Sequence, residues 1–381
     1  MISRFLLAAG LALLMLVTGF GSYMYLGARQ SKVAVPPQRP TAATPRAQAV
    51  TLPGTLYLAQ GGALYSLSAG RFHQLTAEAG WTQPALFPDG SSLLAVKRSG
   101  FYSDVYQLGL FGQVQRQLTN NAAGPRSYDT ADNHWSFYPR LAGDGKTLFM
   151  SYDAPKFGYD ALMSVWAVPF GGTIHQGRLW TNSNDYTGGD MQPVPLPGGG
   201  IVYTKYSYGP DDRLIGQLWV TTRPLTYGRE YGHALTSPSE DCAEPSLSPD
   251  GHQLAMICTY EKQLAELVIA PFDGSNLGAR KTVITDQMVA QPAWAPDGSG
   301  IAYFAPAAPD APFQLWFLPK AAYNPPAPSP IPTPTPTPGG PHNGPLPSPT
   351  PVVVQPPPVV RPIQVTTNLG FDATSPIAWA G

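Results

Sequence analysis

Two hydrophobic patterns divide the chain. The first is a single run from Phe5 to Ala28 with no charged residue (FLLAAGLALLMLVTGFGSYMYLGA). At 1.5 Å per residue a helix of that length reaches about 36 Å, enough to cross a hydrocarbon core of about 30 Å. The second begins near Thr55 and consists of short runs in which apolar and polar side chains alternate, rich in β-branched and aromatic residues and punctuated by Pro, Gly and Asp. Alternation with period two over such lengths predicts strands.

The strands recur in a fixed order. Six segments open a unit: PALFPDG from Pro84, PRLAGDG from Pro139, PVPLPGGG from Pro193, PSLSPDG from Pro245, PAWAPDG from Pro292 and PIAWAG from Pro376. Successive starts lie 55, 54, 52, 47 and 84 residues apart. Removing a proline-rich stretch from the last interval brings it into line with the others. After each turn comes a second strand (LLAVKR, LFMSYD, IVYTKYS, LAMICTY, IAYFAP), then a third (DVYQLGL, SVWAVPF, QLWVTTR, ELVIAPF, QLWFLPK). A short fourth ends near Leu118-Thr119, Leu179-Trp180-Thr181, Leu235-Thr236, Ile284-Thr285 or Val365-Thr366. In the Pro-Asp-Gly turns Pro presets φ, Asp bonds the turn backbone and Gly accepts positive φ.

Four antiparallel strands repeated radially make an all-β propeller. TLYLAQ (55–60), ALYSLS (63–68) and RFHQLT (71–76) supply a second, third and fourth strand without a first, and PIAWAG supplies a first strand alone. Pairing them predicts six blades closed by a mixed N- and C-terminal blade, which removes the exposed edges of an open ring. The repeated P-x-[WL]-[SA]-P-D-G turn followed by I-A-[YF] resembles the WD40-like (PD40) repeat of the TolB-like β-propeller family, over residues 54–381 apart from the insert. The resemblance implies a periplasmic or cell-surface propeller that binds other proteins and has no catalytic apparatus of its own. PRLAGDG lacks the second proline and PVPLPGGG the aspartate, which predicts looser turns in those blades.

Composition narrows the class further. Gly (39) and Pro (44) make up more than a fifth of 381 residues, and charged residues only 12%. That excludes a Glu/Lys-rich helical bundle. A net charge of −1 gives no general attraction to nucleic acid. The domain organisation that follows is a short tail (1–4), a transmembrane anchor (5–28), a Pro-rich tether (29–53) and the propeller (54–381). A cleavable signal sequence is the alternative to the anchor, and the propeller is then secreted; no clean A-x-A-like site follows the run. As an extended proline-type segment the tether reaches about 60–70 Å. Residues 323–362 form a second proline-rich stretch, predicted to be disordered because it lacks the apolar surface to offset its ordering entropy.

No G-x-S-x-G elbow, H-E-x-x-H or Walker loop is present. The histidines (His73, His134, His175, His233, His252, His342) lack metal-ligand spacing, and turn chemistry accounts for Asp89, Asp144, Asp250 and Asp297. No catalytic residue, cofactor or metal ligand is assigned. A turn centred on Asp250 places Cys242, eight residues before it, opposite Cys258, eight residues after it. Directly opposed positions suit a disulfide, which an exported protein permits.

Loops joining the second to the third strand share one end of the wheel with those joining the fourth strand to the next blade. The longest lie in neighbouring blades, at 121–138, 153–162, 182–192 and 206–216. They carry Tyr128, Trp135, Phe137, Phe157, Tyr159, Tyr186 and Tyr208 together with Arg126, Arg213, Asp132, Asp160 and Asp211. Rings mixed with Arg and Asp are what interface centres use. The expectation is a membrane-anchored, extracytoplasmic, monomeric propeller that binds an envelope or secreted protein, not nucleic acid. The rival is a carbohydrate- or small-ligand-binding or hydrolytic propeller using its central funnel, which requires polar side chains converging from several blades.

Overall fold

The computed structural model describes residues 51–381 apart from 125–129, 157–160, 261–263, 286, 328, 331–353 and 356–358. The expected anchor and tether lie outside the described residues, as does most of the 323–362 insert. Within that insert Ser329–Pro330 pairs with Val354–Gln355. Among the described residues no helix is long and apolar enough to cross a membrane.

Six four-stranded antiparallel sheets surround an axis. From the axis outward, blade 1 contains Ala378–Ala380, Thr55–Gln60, Ala63–Ser68 and Arg71–Gln74. The inner strands of blades 2 to 6 are Trp81–Leu86, Ser136–Leu141, Asp190–Pro195, Asp241–Leu247 and Ala290–Trp294. The outermost are Val114–Gln117, Arg178–Leu179, His233–Ala234, Lys281–Ile284 and Ile363–Gln364. The proline-rich insert lies between the third and fourth strands of blade 6.

Both ends of the described chain meet in blade 1, where Thr55, Leu56 and Tyr57 face Ala380, Trp379 and Ala378. Trp379 Nε1 donates to Pro53 O at 2.7 Å. Gly54, at φ +70°, lies so close beneath this pairing that a Cβ there would meet Ala380 O at 1.9 Å. The apolar cores lie between blades. In one of them Leu196, Val202 and Leu218 of blade 4 pack on Leu254, Met256 and Val268 of blade 5, beside Cys242 and Cys258.

Two devices recur. In five of the six blades the threonine after the outer strand accepts a backbone N–H of the third strand in its own blade: Thr76 from Leu64, Thr119 from Val105, Thr181 from Val165, Thr236 from Leu218 and Thr366 from Leu315, all at 2.9–3.0 Å. A side chain thus continues the ladder where the outer strand has ended. In the turns after the inner strands, Gly90, Gly145, Gly199, Gly251 and Gly298 all have positive φ. Each donates back to the residue three before it at 2.8–3.0 Å. The divergent PRLAGDG turn thus keeps the bonds of the others without the second proline. The PVPLPGGG turn keeps the glycine closure but lacks the bond by which Asp89, Asp144, Asp250 and Asp297 accept from the backbone two residues on.

Candidate functional site

The inner strands are irregular in the same way five times over. Gln83, Tyr138, Gln192, Glu244 and Gln291, each immediately before a proline, have φ of 51° to 58°. Each lies within a register shift against the second strand. Proline cannot donate to a ladder, so a bulge is where an inner strand can hold one. The left-handed residue beside it is strained, and contacts between blades compensate. Gln83 N donates to Ser375 Oγ (2.8 Å), Tyr138 N to Gln83 Oε1 (2.7 Å), Glu244 N to Gln192 Oε1 (3.1 Å) and Gln291 N to Glu244 Oε2 (2.6 Å). Gln291 Nε2 also donates to Glu244 Oε1 at 2.9 Å. One residue from each blade contributes to this axial girdle, and four of its six neighbour-to-neighbour steps are backbone-to-side-chain bonds.

Around the girdle and the turns beyond it lies a cavity of about 440 Å³, lined by residues of all six blades, among them Tyr138, Arg140, Gln192, Glu244, Ser246 and Gln291. Burial pushes the Glu244 carboxyl up to about 7 despite the two bonds from Gln291 that hold it down. Burial also lowers the Arg140 guanidinium to about 10. The girdle escaped the sequence reading because its members are chemically diverse. The column before each proline (Gln, Tyr, Gln, Glu, Gln, Ser), one residue upstream of each repeat's start, is the signal that the sequence carries for it.

At the opposite end from the Pro-Asp-Gly turns, the loops bring some of the expected residues together in pairs. Trp135 and Phe137 stack with ring centroids 5.8 Å apart, and the Arg98 guanidinium lies 5.7 Å from the Phe137 ring. Asp153, fully buried, holds this loop by accepting from Trp135 N (2.9 Å), with His134 Nδ1 at 2.8 Å and Lys156 Nζ at 3.3 Å. Tyr186 is 85% exposed and Tyr208 55%, and Tyr208 Oη donates to Tyr186 O at 3.1 Å. Arg213 pairs loosely with Asp211 at 3.8 Å. Arg126, Tyr128, Phe157, Tyr159 and Asp160 lie outside the described residues. Phe101, Leu214, Leu264 and Met288 add exposed apolar surface at this end.

Cys242 and Cys258 face one another, with Cα atoms 4.1 Å apart and their sulfurs bonded. The symmetry argument about Asp250 reaches this pairing through two offsetting details. Near the turn the register is shifted by one, with Leu247 opposite Leu254 and Ser246 opposite Ala255, and the bulge at Glu244–Pro245 removes the shift. Among the described residues no group of three or more His, Cys, Asp or Glu side chains is placed to hold a metal ion.

No protein-family model and no curated protein matches the sequence. Among solved structures, TolB from Acinetobacter baumannii superposes with a TM-score of 0.53 at 15% identity, over 71% of this chain and 62% of that one. The fold is a six-bladed propeller of the TolB kind. This chain thus spans less than two thirds of the length of that TolB structure. A putative TolB from Agrobacterium tumefaciens aligns with a TM-score of 0.48 at 14% identity, over 70% of this chain and 85% of that one. A puromycin-hydrolysing peptidase of Mycobacterium tuberculosis aligns with a TM-score of 0.45 at 13% identity, over 71% and 46%.

Proposed function

We propose that this chain is a noncatalytic protein-binding module of the cell envelope, held at the membrane by residues 5–28, spaced from it by the proline-rich tether, and engaging an envelope or secreted protein through the loop end of its propeller. The observation that carries the reading is the distribution of exposed apolar side chains. Phe101, Tyr186, Tyr208, Leu214, Leu264 and Met288 all lie at the loop end, which also carries the Trp135–Phe137 stack. Phe111 and Tyr227 are exposed at the turn end, but the loop end holds six such side chains, on loops pinned by buried groups such as Asp153, and so offers the larger contact area at low entropic cost. The resemblance to TolB-like repeats points the same way, and so does the uncharged run at 5–28.

The test places a photoreactive phenylalanine analogue at Tyr186 in one strain and at Tyr227, exposed at the turn end, in another. The reading expects a discrete crosslinked product from the Tyr186 site that disappears when Trp135 and Tyr208 are replaced by alanine. The same product from both sites, or one indifferent to the alanine replacements, contradicts it.

A further inference from the structure

Two residues beyond the girdle, the six inner strands carry Ala85, Arg140, Val194, Ser246, Ala293 and Ile377 at equivalent positions. Five are small or apolar and one is arginine. A half-buried guanidinium on a cavity wall ordinarily has a carboxylate beside it, since an unpaired charge stripped of part of its water is costly. Yet among the described residues no carboxylate lies within ion-pair distance of Arg140. Its one protein hydrogen bond runs from Nη1 to the carbonyl of its own neighbour, Pro139, at 3.4 Å. The side chain lines the axial cavity, so its unused donors adjoin space that a ligand can occupy.

We propose that the axial cavity is a binding site for a small carboxylate, with Arg140 as its cationic anchor. The guanidinium fork matches a carboxylate with two parallel hydrogen bonds. The rest of the lining suits a ligand that is uncharged and partly apolar beyond that group, with Leu86, Leu141, Val194, Leu196 and Ile377 among its walls. Ser246 contributes a hydroxyl with no partner among the described residues, and Tyr138, Gln192 and Gln291 are neutral. A volume of about 440 Å³ falls in the range of small-molecule sites. The charge balance selects a monoanion: one arginine neutralises one carboxylate, whereas a phosphate dianion leaves an excess negative charge near Glu244. The site is independent of the loop-end surface and stands whether or not that surface binds protein.

The test is titration calorimetry on the full-length, detergent-solubilised protein with acetyl-diglycine, acetyl-diglycine amide, benzoate and inorganic phosphate. Saturable binding of acetyl-diglycine is the result for a peptide terminus, and binding of benzoate the result for a small free acid. In either case the amide and phosphate bind at least about tenfold more weakly than the bound acid. Arg140→Gln removes the binding, Arg140→Lys keeps part of it, and Ser246→Phe blocks it by filling the cavity without touching the arginine. The proposal is overturned if neither acid binds up to about 10 mM, if the amide or phosphate binds as well as the acids, or if binding survives either Arg140→Gln or Ser246→Phe.

Discussion

At the scale of single residues, Glu244 sets burial against charge at the axis. Its carboxyl accepts from both the backbone and the side-chain nitrogen of Gln291, and burial still raises it to about 7 from an ordinary 4.5. The folded state therefore holds this proton more tightly than the unfolded chain does. The associated stability is complete below about pH 4.5 and is lost as pH rises towards and through 7. Asp190, raised to about 6 by burial beside Lys205, adds to the loss in the same window. A shift of that size at Glu244 corresponds to at most about 3 kcal/mol, and the adjoining cavity reduces it to about 1–2 kcal/mol. The thermal midpoint of the wild type should fall between pH 5 and 7.5. Glu244→Gln should start lower at pH 5, having one acceptor fewer for Gln291, and fall less steeply. Parallel curves for the two proteins refute the assignment.

The elements are held by regular devices that local sequence announces unequally. The Leu-Thr ending of the outer strands is informative because its hydroxyl does a fixed job: Thr181, fully buried, accepts from Val165 N at 2.9 Å. Thr181→Val preserves shape while leaving that N–H unpaired, at a cost of about 1–3 kcal/mol. A denaturant midpoint unchanged by the substitution would show that the hydroxyl is dispensable. Strands and turns were legible because alternation, β-branched residues and Asp-Gly act within a few residues of one another. The girdle was not, since Gln83, Tyr138, Gln192, Glu244, Gln291 and Ser375 share a role only once six blades are assembled. Arg140 was hidden for the same reason, its singularity emerging from comparison with Ala85, Val194, Ser246, Ala293 and Ile377. The loop-end rings follow from the place and length of the loops that carry them and from their mixture with Arg and Asp. The structure pairs Trp135 with Phe137 and Tyr186 with Tyr208, and among the described residues no hydrogen bond or ring contact joins the two pairs.

For the whole molecule, every surface assignment depends on closure. The axial cavity has a complete wall only because blade 1 takes its inner strand from Ala378–Ala380 and its other three from Thr55–Gln74, and the girdle reaches Gln83 from Ser375 across that same seam. The loop end and the turn end are likewise defined by a ring without free edges. The most direct measurement introduces Tyr57→Cys with Ala378→Cys, two positions that face each other across the seam, at Cβ separations compatible with a disulfide. Peptide mapping of the oxidised, full-length protein should recover a peptide linking 57 to 378, and no link when Tyr57→Cys is replaced by Ser68→Cys. Two freely reactive thiols at 57 and 378 in the folded protein would contradict the closed wheel.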